Sequence, residues 1–292
     1  MNSEPAYDVA LAASARLAEA GLPSPGADAR ILLAHVLGVD VSQMLLAPRV
    51  TAAQCDALDV LLERRESGMP VQHLTGEAHF RYETLQVGPG VFIPRPETEN
   101  LVDLALRELA RRPPERRRVV ELCAGSGAIT RSLGTELGGL ELHAVELSAE
   151  AWPYLVHNLS GLEVELVLGD MADAFRELDG EVDLVVANPP YVPETVRDAL
   201  PSDVVGHDPD LALFSGPDGL DAMHVVKAVA ARLLRPGGWV MAEHDESHAD
   251  AVVALFDEPR FDHVRDHDDL TGRPRHVTAQ RSAVPDVAGL AS

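Results

Sequence analysis

The tetrapeptide Asn188-Pro189-Pro190-Tyr191 is the stretch best suited to chemistry. It follows Val182-Asp183-Leu184-Val185-Val186-Ala187, a short apolar run that reads as a buried strand. Proline has no N–H and cannot extend a sheet ladder. The residue before a proline is driven into extended conformations. Asn188 and Pro189 are therefore expected to form a stiff exit from the sheet, with a carboxamide and free carbonyl oxygens directed off its edge. That arrangement suits an N–H2 group beside a flat system. A plain turn built from turn-forming residues is the competing reading.

Three other stretches have the same character. Glu121-Leu122-Cys123-Ala124-Gly125-Ser126-Gly127 joins a strand to a helix. Glycines there let the backbone approach a ligand, and the helix start offers free N–H groups to an anion. Alone, it reads equally as a tight strand–helix turn. Glu146 lies 19 residues beyond Gly127, where dinucleotide-binding folds place an acid on ribose hydroxyls. Its other reading is an exposed glutamate near a helix capped by Ser148. Asp170-Met171 ends the next strand: Asp170 suits an adenine amine with Met171 over the ring, or equally the cap of the helix that follows. Cys123 fits a small buried residue in the turn rather than a nucleophile. His244, Asp245, Glu246, His248, His263, His267 and Asp268 lack the spacing of a metal site, so surface loops and no metal are expected there.

Elements that place these residues follow from periodicity. Helical patterns run over Tyr7–Ala20, Ala27–Leu37, Ser42–Leu46 and Thr51–Ser67, a small bundle occupying residues 1–70 and suited to substrate recognition or to a lid, with padding of the main domain as the competing reading. Residues 71–95 read as a linking β-hairpin, alternating from Leu74 to Ile93 with turn signals at Gly88-Pro89-Gly90. Pro96 suits the first turn of a helix running to Arg111, and Arg95 is a cation fixed between two prolines. Arg111, Arg112, Arg116, Arg117 and Arg118 read as a solvated linker. From Val119 strands and helices alternate: strands at Val119–Leu122, Leu140–Val145, Val164–Leu168, Val182–Ala187 and Trp239–Glu243, helices at Ile129–Leu137, Ala149–Leu159, Leu220–Leu234 and His248–Phe256. Phe261–Val264 and His276–Gln280 add two more strands. The rhythm implies an α/β fold over residues 96–282, doubly wound around a mostly parallel Rossmann-like sheet, with a flexible tail at 283–292. In such a sheet ligands bind outside the carboxyl ends of the strands. The four stretches above are four such ends.

The chain has 292 residues and a net charge of −23. That charge argues against an extended duplex-binding surface. Two cysteines give no disulfide framework, the N-terminus carries no targeting signal, and no run approaches a membrane span. A cytoplasmic monomer is expected.

Taken together, the strand ends resemble the class I S-adenosylmethionine-dependent methyltransferases, and Asn188-Pro-Pro-Tyr191 resembles the subset that methylates planar N–H2 groups. Gly76-Glu77-x-x-Phe80, Phe92-Ile93-Pro94-Arg95-Pro96-Glu97-Thr98-Glu99, Glu243-His244 and Asp269-Leu270-Thr271-Gly272-Arg273 narrow this. With them the chain resembles the protein-(glutamine-N5) methyltransferases of peptide chain release factors, the PrmC/HemK family. The resemblance implies methyl transfer from S-adenosyl-L-methionine to the glutamine of a Gly-Gly-Gln motif, with S-adenosyl-L-homocysteine as product. It implies that Cys123, Ala124, Gly125, Ser126, Gly127, Glu146, Asp170, Met171 and Asn188 contact the cofactor. It also implies that Asn188, Pro189, Pro190 and Tyr191 hold the glutamine and are the catalytic residues. One departure is visible: the family's turn reads Gly-x-Gly-x-Gly, and Cys123 stands at its first glycine. Two rivals share parts of the pattern. An N6-adenine methyltransferase of DNA or RNA carries the same tetrapeptide, and a non-catalytic adenosine-ligand or release-factor binding module would tolerate the altered turn.

Overall fold

The structure, a computed structural model, describes residues 3–44, 49–199 and 208–283. The chain divides into two compact units, with the boundary after Glu77.

The first unit contains β1 (Ser3–Glu4), α1 (Ala6–Glu19), α2 (Pro25–Leu37), β2 (Val50–Thr51), α3 (Ala52–Glu66) and α4 (Val71–Thr75). Local chemistry explains the helix ends. Pro25 opens α2, and Gly38, with φ of 66°, closes it in the left-handed conformation. Thr51 and Gln54 form a capping box at α3, each side chain bonding the other's backbone N–H. Leu17, Leu32, Leu33, Leu58 and Leu62 build the core, and α4 adds Leu74. Arg65 pairs with Asp28 at 2.8 Å inside it. The expected turn at Ser42–Leu46 runs past the described residues, and the tail from 284 onward lies outside them.

Starting at the boundary residue, β3 (Glu77–Phe80) and β4 (Glu83–Gln86) form a two-stranded sheet. The hairpin is shorter than the sequence pattern suggests. Leu74 belongs to a helix, and the reversal is made at Arg81 rather than at Gly88–Gly90. Arg81 adopts a left-handed φ of 53° because tertiary contacts fix it. Its N–H donates to Glu99, and its guanidinium grips Glu136 and Asp103.

The remaining elements are α5 (Thr98–Ala110), β5 (Arg118–Leu122), α6 (Ala128–Glu136), β6 (Glu141–Glu146), α7 (Trp152–Asn158), β7 (Val164–Leu168), β8 (Val182–Ala187), α8 (Asp210–Leu213), α9 (Asp221–Leu233), β9 (Leu234–Glu243), α10 (Ala249–Phe256), β10 (Phe261–Asp268) and β11 (Pro274–Arg281). The seven-stranded sheet has the order β10-β11-β9-β8-β5-β6-β7. Its five strands from β9 to β7 are parallel, and β11 and β10 close one side antiparallel. Val120, Leu122, Val185 and Ala187 face one core layer, while Val119, Leu184 and Val186 face the other. This is the strand period of two, buried on both faces.

Several boundaries differ from the sequence reading. Helix α5 begins at Thr98, after a turn at Pro96–Glu97, and α7 begins at Trp152. Strand β9 begins at Leu234 rather than at Trp239, so that Pro236-Gly237-Gly238 lies within it. The arginine run is not a solvated linker. Arg112 donates to the Gly237 carbonyl at 2.6 Å and pairs with Asp183, and Arg117 donates to the Arg112 and Gly138 carbonyls. Arg118 pairs with Glu141 and Glu181, leaving Arg111 exposed. The side chain of Arg116 falls outside the description.

Candidate active site

Strand register brings the chemistry-bearing residues to one edge. Leu122 pairs with Val145 on one side and Ala187 on the other, Glu146 pairs with Leu168, and Ala187 pairs with Ala242. The residues just beyond these positions therefore exit the sheet together, as the crevice rule for open α/β sheets requires. A cavity of about 290 Å³ opens there.

The turn after β5 has three positions with φ between 55° and 79°: Cys123, Gly125 and Gly127. Cys123 thus takes the left-handed conformation that glycine would favour, and the loop keeps its path at a strain cost of about 1–2 kcal/mol. Its sulfur lies 3.5 Å from that of Met171, and burial pushes the thiol up from its ordinary value. That is the wrong direction for a nucleophile. Glu146 fastens the turn: Oε2 accepts the Gly125 N–H at 2.7 Å and Oε1 accepts the Ser148 N–H at 2.6 Å. Ser148 in turn accepts the N–H groups of Glu150 and Ala151. Glu121 is buried beneath, accepting the Thr130 N–H at 2.8 Å, and burial raises its carboxyl to about 8. Asp170 accepts the Ala172 N–H at 2.9 Å and also lines the cavity.

Beyond β8 the Asn188 carboxamide is held from behind. Its Nδ2 donates to Thr98 Oγ1 at 3.1 Å, Thr98 donates to Glu243 Oε2 at 2.6 Å, and Tyr191 donates its hydroxyl to Glu243 Oε1 at 3.2 Å. Glu243 is 1 % exposed. Burial raises it to about 7, and burial followed by the nearby Glu243 charge pushes Tyr191 upward.

Cys123, Ala124, Gly125, Ser126, Glu146, Asp170, Met171, Asn188 and Pro190 all line the cavity. Gly127, Pro189 and Tyr191 stand outside the lining. A Cβ on Gly127 would come within 2.9 Å of Leu155 Cδ1, so this glycine serves the packing of α6 on α7. Phe92, Thr98, Glu121 and Val225 also line the cavity; the first three lie in the motif stretches without a role assigned to them there, and Val225 lies in none. Arg95, the cation of the Pro-Arg-Pro segment, pairs with Asp208 at 2.6 Å and lies over the Phe92 ring. His244 and His248 are buried rather than in surface loops. His244 bonds the Asp245 carbonyl and Asp266. Among the described residues no group of three or more metal-binding side chains gathers.

A glycine turn after the first parallel strand, an acid at the end of the second and Asn-Pro-Pro-Tyr at the end of β8, on one sheet edge, define a class I methyltransferase. In structure, the catalytic domain of hMettl16 superposes with a TM-score of 0.54 at 16% identity, covering 69% of this chain and 77% of that one, a likeness of fold. Residues 9–76 match the PrmC N-terminal domain and residues 84–204 the methyltransferase small domain. The release factor glutamine methyltransferase of Streptomyces coelicolor is 46% identical over 94% of this chain and 96% of its own length. Those of Mycolicibacterium smegmatis and Deinococcus radiodurans are 44% and 40% identical, over 93% and 94% of this chain and 96% and 98% of theirs. The chain belongs to the release factor glutamine methyltransferase family.

Proposed function

We propose that this protein transfers a methyl group from S-adenosyl-L-methionine to the side-chain amide nitrogen (N5) of the glutamine in the Gly-Gly-Gln motif of peptide chain release factors. The observation that carries the reading is the Asn188 carboxamide, whose amino end is spent on Thr98 and whose oxygen is thereby left for a substrate N–H at the cavity.

The lining suits an adenosyl cofactor. A carboxylate at the end of β6, an acid and a thioether after β7 and a backbone turn open at Gly125 match a ribose diol, a flat amine-bearing ring and an amino-acid chain in turn. On this reading Glu146 holds the ribose, Asp170 and Met171 hold the adenine, and the Cys123–Gly127 turn holds the methionine part. When bound, the cofactor supplies a methyl group already activated on a sulfonium.

What remains for the protein is placement. An amide nitrogen is a poor nucleophile because its lone pair is delocalised into the carbonyl. Asn188 Oδ1 and the Pro189 carbonyl each accept one N–H of the substrate amide, fixing the nitrogen and favouring positive charge on it. The Tyr191 ring, anchored through its hydroxyl on Glu243, packs against the amide plane. No base is required before transfer, since the methylated nitrogen sheds its proton afterwards.

The first unit, matched to the PrmC N-terminal domain, is read as the part that recognises the body of the release factor. The charge of −23 and the internal pairing of Arg112 and Arg118 favour a protein substrate over an extended nucleic-acid surface. Two unpaired cysteines suit a cytoplasmic enzyme, taken to act as a monomer. Labelled-methyl transfer to a purified release factor tests the reading. Asn188→Ala should lower turnover far more than cofactor affinity. A collapse of cofactor binding with unchanged turnover of the bound complex would refute the role given to Asn188.

A further inference from the structure

Asn188 serves a substrate N–H2 only if its carboxamide is turned correctly, because the side chain has one accepting face and one donating face. Nothing in Asn188 itself makes that choice. The choice is made behind it, in a buried chain that runs Asn188 Nδ2 to Thr98 Oγ1 at 3.1 Å and Thr98 Oγ1 to Glu243 Oε2 at 2.6 Å. A hydroxyl has a single proton. Whichever neighbour receives it, the other must donate to the hydroxyl oxygen.

We propose that Glu243, acting through Thr98, is a positioning residue that sets which face of the Asn188 carboxamide meets the substrate, so that methyl transfer requires Glu243 to be ionised. The inference rests on the reading that Asn188 Oδ1 receives a substrate N–H.

The two protonation states give opposite outcomes. As a carboxylate, Glu243 accepts from Thr98 on one oxygen and from Tyr191 on the other. Thr98 then accepts from Asn188, and Oδ1 faces the cavity. A proton on Oε2 favours the reverse chain: the carboxyl donates to Thr98, and the displaced hydroxyl proton, otherwise buried and unpaired, is satisfied when Asn188 turns Oδ1 inward to accept it. Its N–H2 then meets the N–H2 of the substrate, donor against donor.

The surroundings place this reversal in an accessible range. Burial raises Glu243 to about 7, opposed by Thr98, Arg275 and Tyr191 and reinforced by Glu97. His276, 3.9 Å away on β11, is pushed down to about 4 by burial and by His244 and Arg275, and so stays neutral. The His244 ring is turned to the Asp245 carbonyl and Asp266.

The test measures kcat with saturating cofactor and release factor between about pH 5 and 9, for the wild type, Thr98→Val and Thr98→Ser. Cofactor affinity by calorimetry and the 15N resonance of the Asn188 side-chain amide accompany it. In the wild type, kcat should rise with pH through a midpoint of about 7, and the Asn188 resonance should move with the same midpoint. Thr98→Ser should keep both. Thr98→Val should lose the resonance titration and about tenfold in kcat, the rate equivalent of one hydrogen bond, with cofactor affinity unchanged. A Thr98→Val enzyme with the wild-type kcat and pH profile, or a wild-type resonance that does not move, would overturn the relay. A wild type that methylates no release factor would overturn the proposed function instead, and the resonance titration would still decide the relay.

Discussion

The backbone N–H of Gly125 donates to Glu146 Oε2 at 2.7 Å, so the acid that ends β6 also fixes the turn that follows β5. Two strand ends are thus joined by one carboxylate at the rim of the cavity. Glu146→Ala should therefore weaken cofactor binding twice over, by loosening the turn and by removing the carboxylate proposed to accept the ribose. A loss of about 10–100-fold is expected by calorimetry, with Glu146→Gln in between. Wild-type affinity in the alanine variant would contradict the assignment.

The glycines of the turn should separate by phenotype. At Gly127, φ is 79° and a Cβ would meet Leu155 and Leu159 at 2.9 and 3.0 Å, so Gly127→Ala should cost about 2 kcal/mol or more of stability. Gly125 has open space around it, and Gly125→Ala should cost about 1 kcal/mol from its φ of 55° alone while impairing the cofactor. Urea unfolding and calorimetry on the pair check both statements.

Stability should fall as the solution becomes more alkaline. Burial raises Glu121 to about 8 and Glu243 to about 7, both above the ordinary glutamate value of 4.5. The folded chain therefore holds more protons than the unfolded chain between those values. The stabilisation is complete below the unfolded value and is lost as pH rises through 7 and 8. Glu121→Gln keeps an acceptor for the Thr130 N–H and removes one titration. Its Tm, measured against the wild type by calorimetric scans, should gain on the wild type as pH rises from 6 to 9 (a span set by about one unit either side of these groups). Parallel curves would contradict the sign.

Asp183 is the buried centre of an arginine cluster. Arg112 and Arg235 reach Oδ1 at 3.3 and 3.2 Å, and the Arg118 N–H donates to Oδ2. Asp183→Ala strands these donors and should cost about 3–5 kcal/mol in urea unfolding. A change below about 1 kcal/mol, the level of surface pairs, would show that the cluster contributes little.

Much of this was legible because it was local. Val182–Ala187 is marked by an apolar run broken only at Asp183, and the prolines after Asn188 by what they forbid. The glycine turn, Glu146 and Asp170 were each ambiguous alone, and strand order made them one site. What the sequence does not show depends on contacts across the chain. Thr98 meets Asn188 across 90 positions and Glu243 across 145, and no local pattern marks a threonine for that task. The hairpin reversal at Arg81 was hidden for the same reason. An arginine is a poor turn residue until Glu99, Glu136 and Asp103 are brought to it. The arginine run misled because charge patterning cannot reveal that a buried Asp183 receives it.

The central claim concerns one nitrogen atom, and fragmentation mass spectrometry of a release factor incubated with this enzyme and S-adenosyl-L-methionine reads it directly. The expected result is a single methyl group on the side-chain amide of the Gly-Gly-Gln glutamine, absent with Asn188→Ala and absent when that glutamine is replaced. Methyl on the glutamine-replaced release factor, or on another residue, would contradict it.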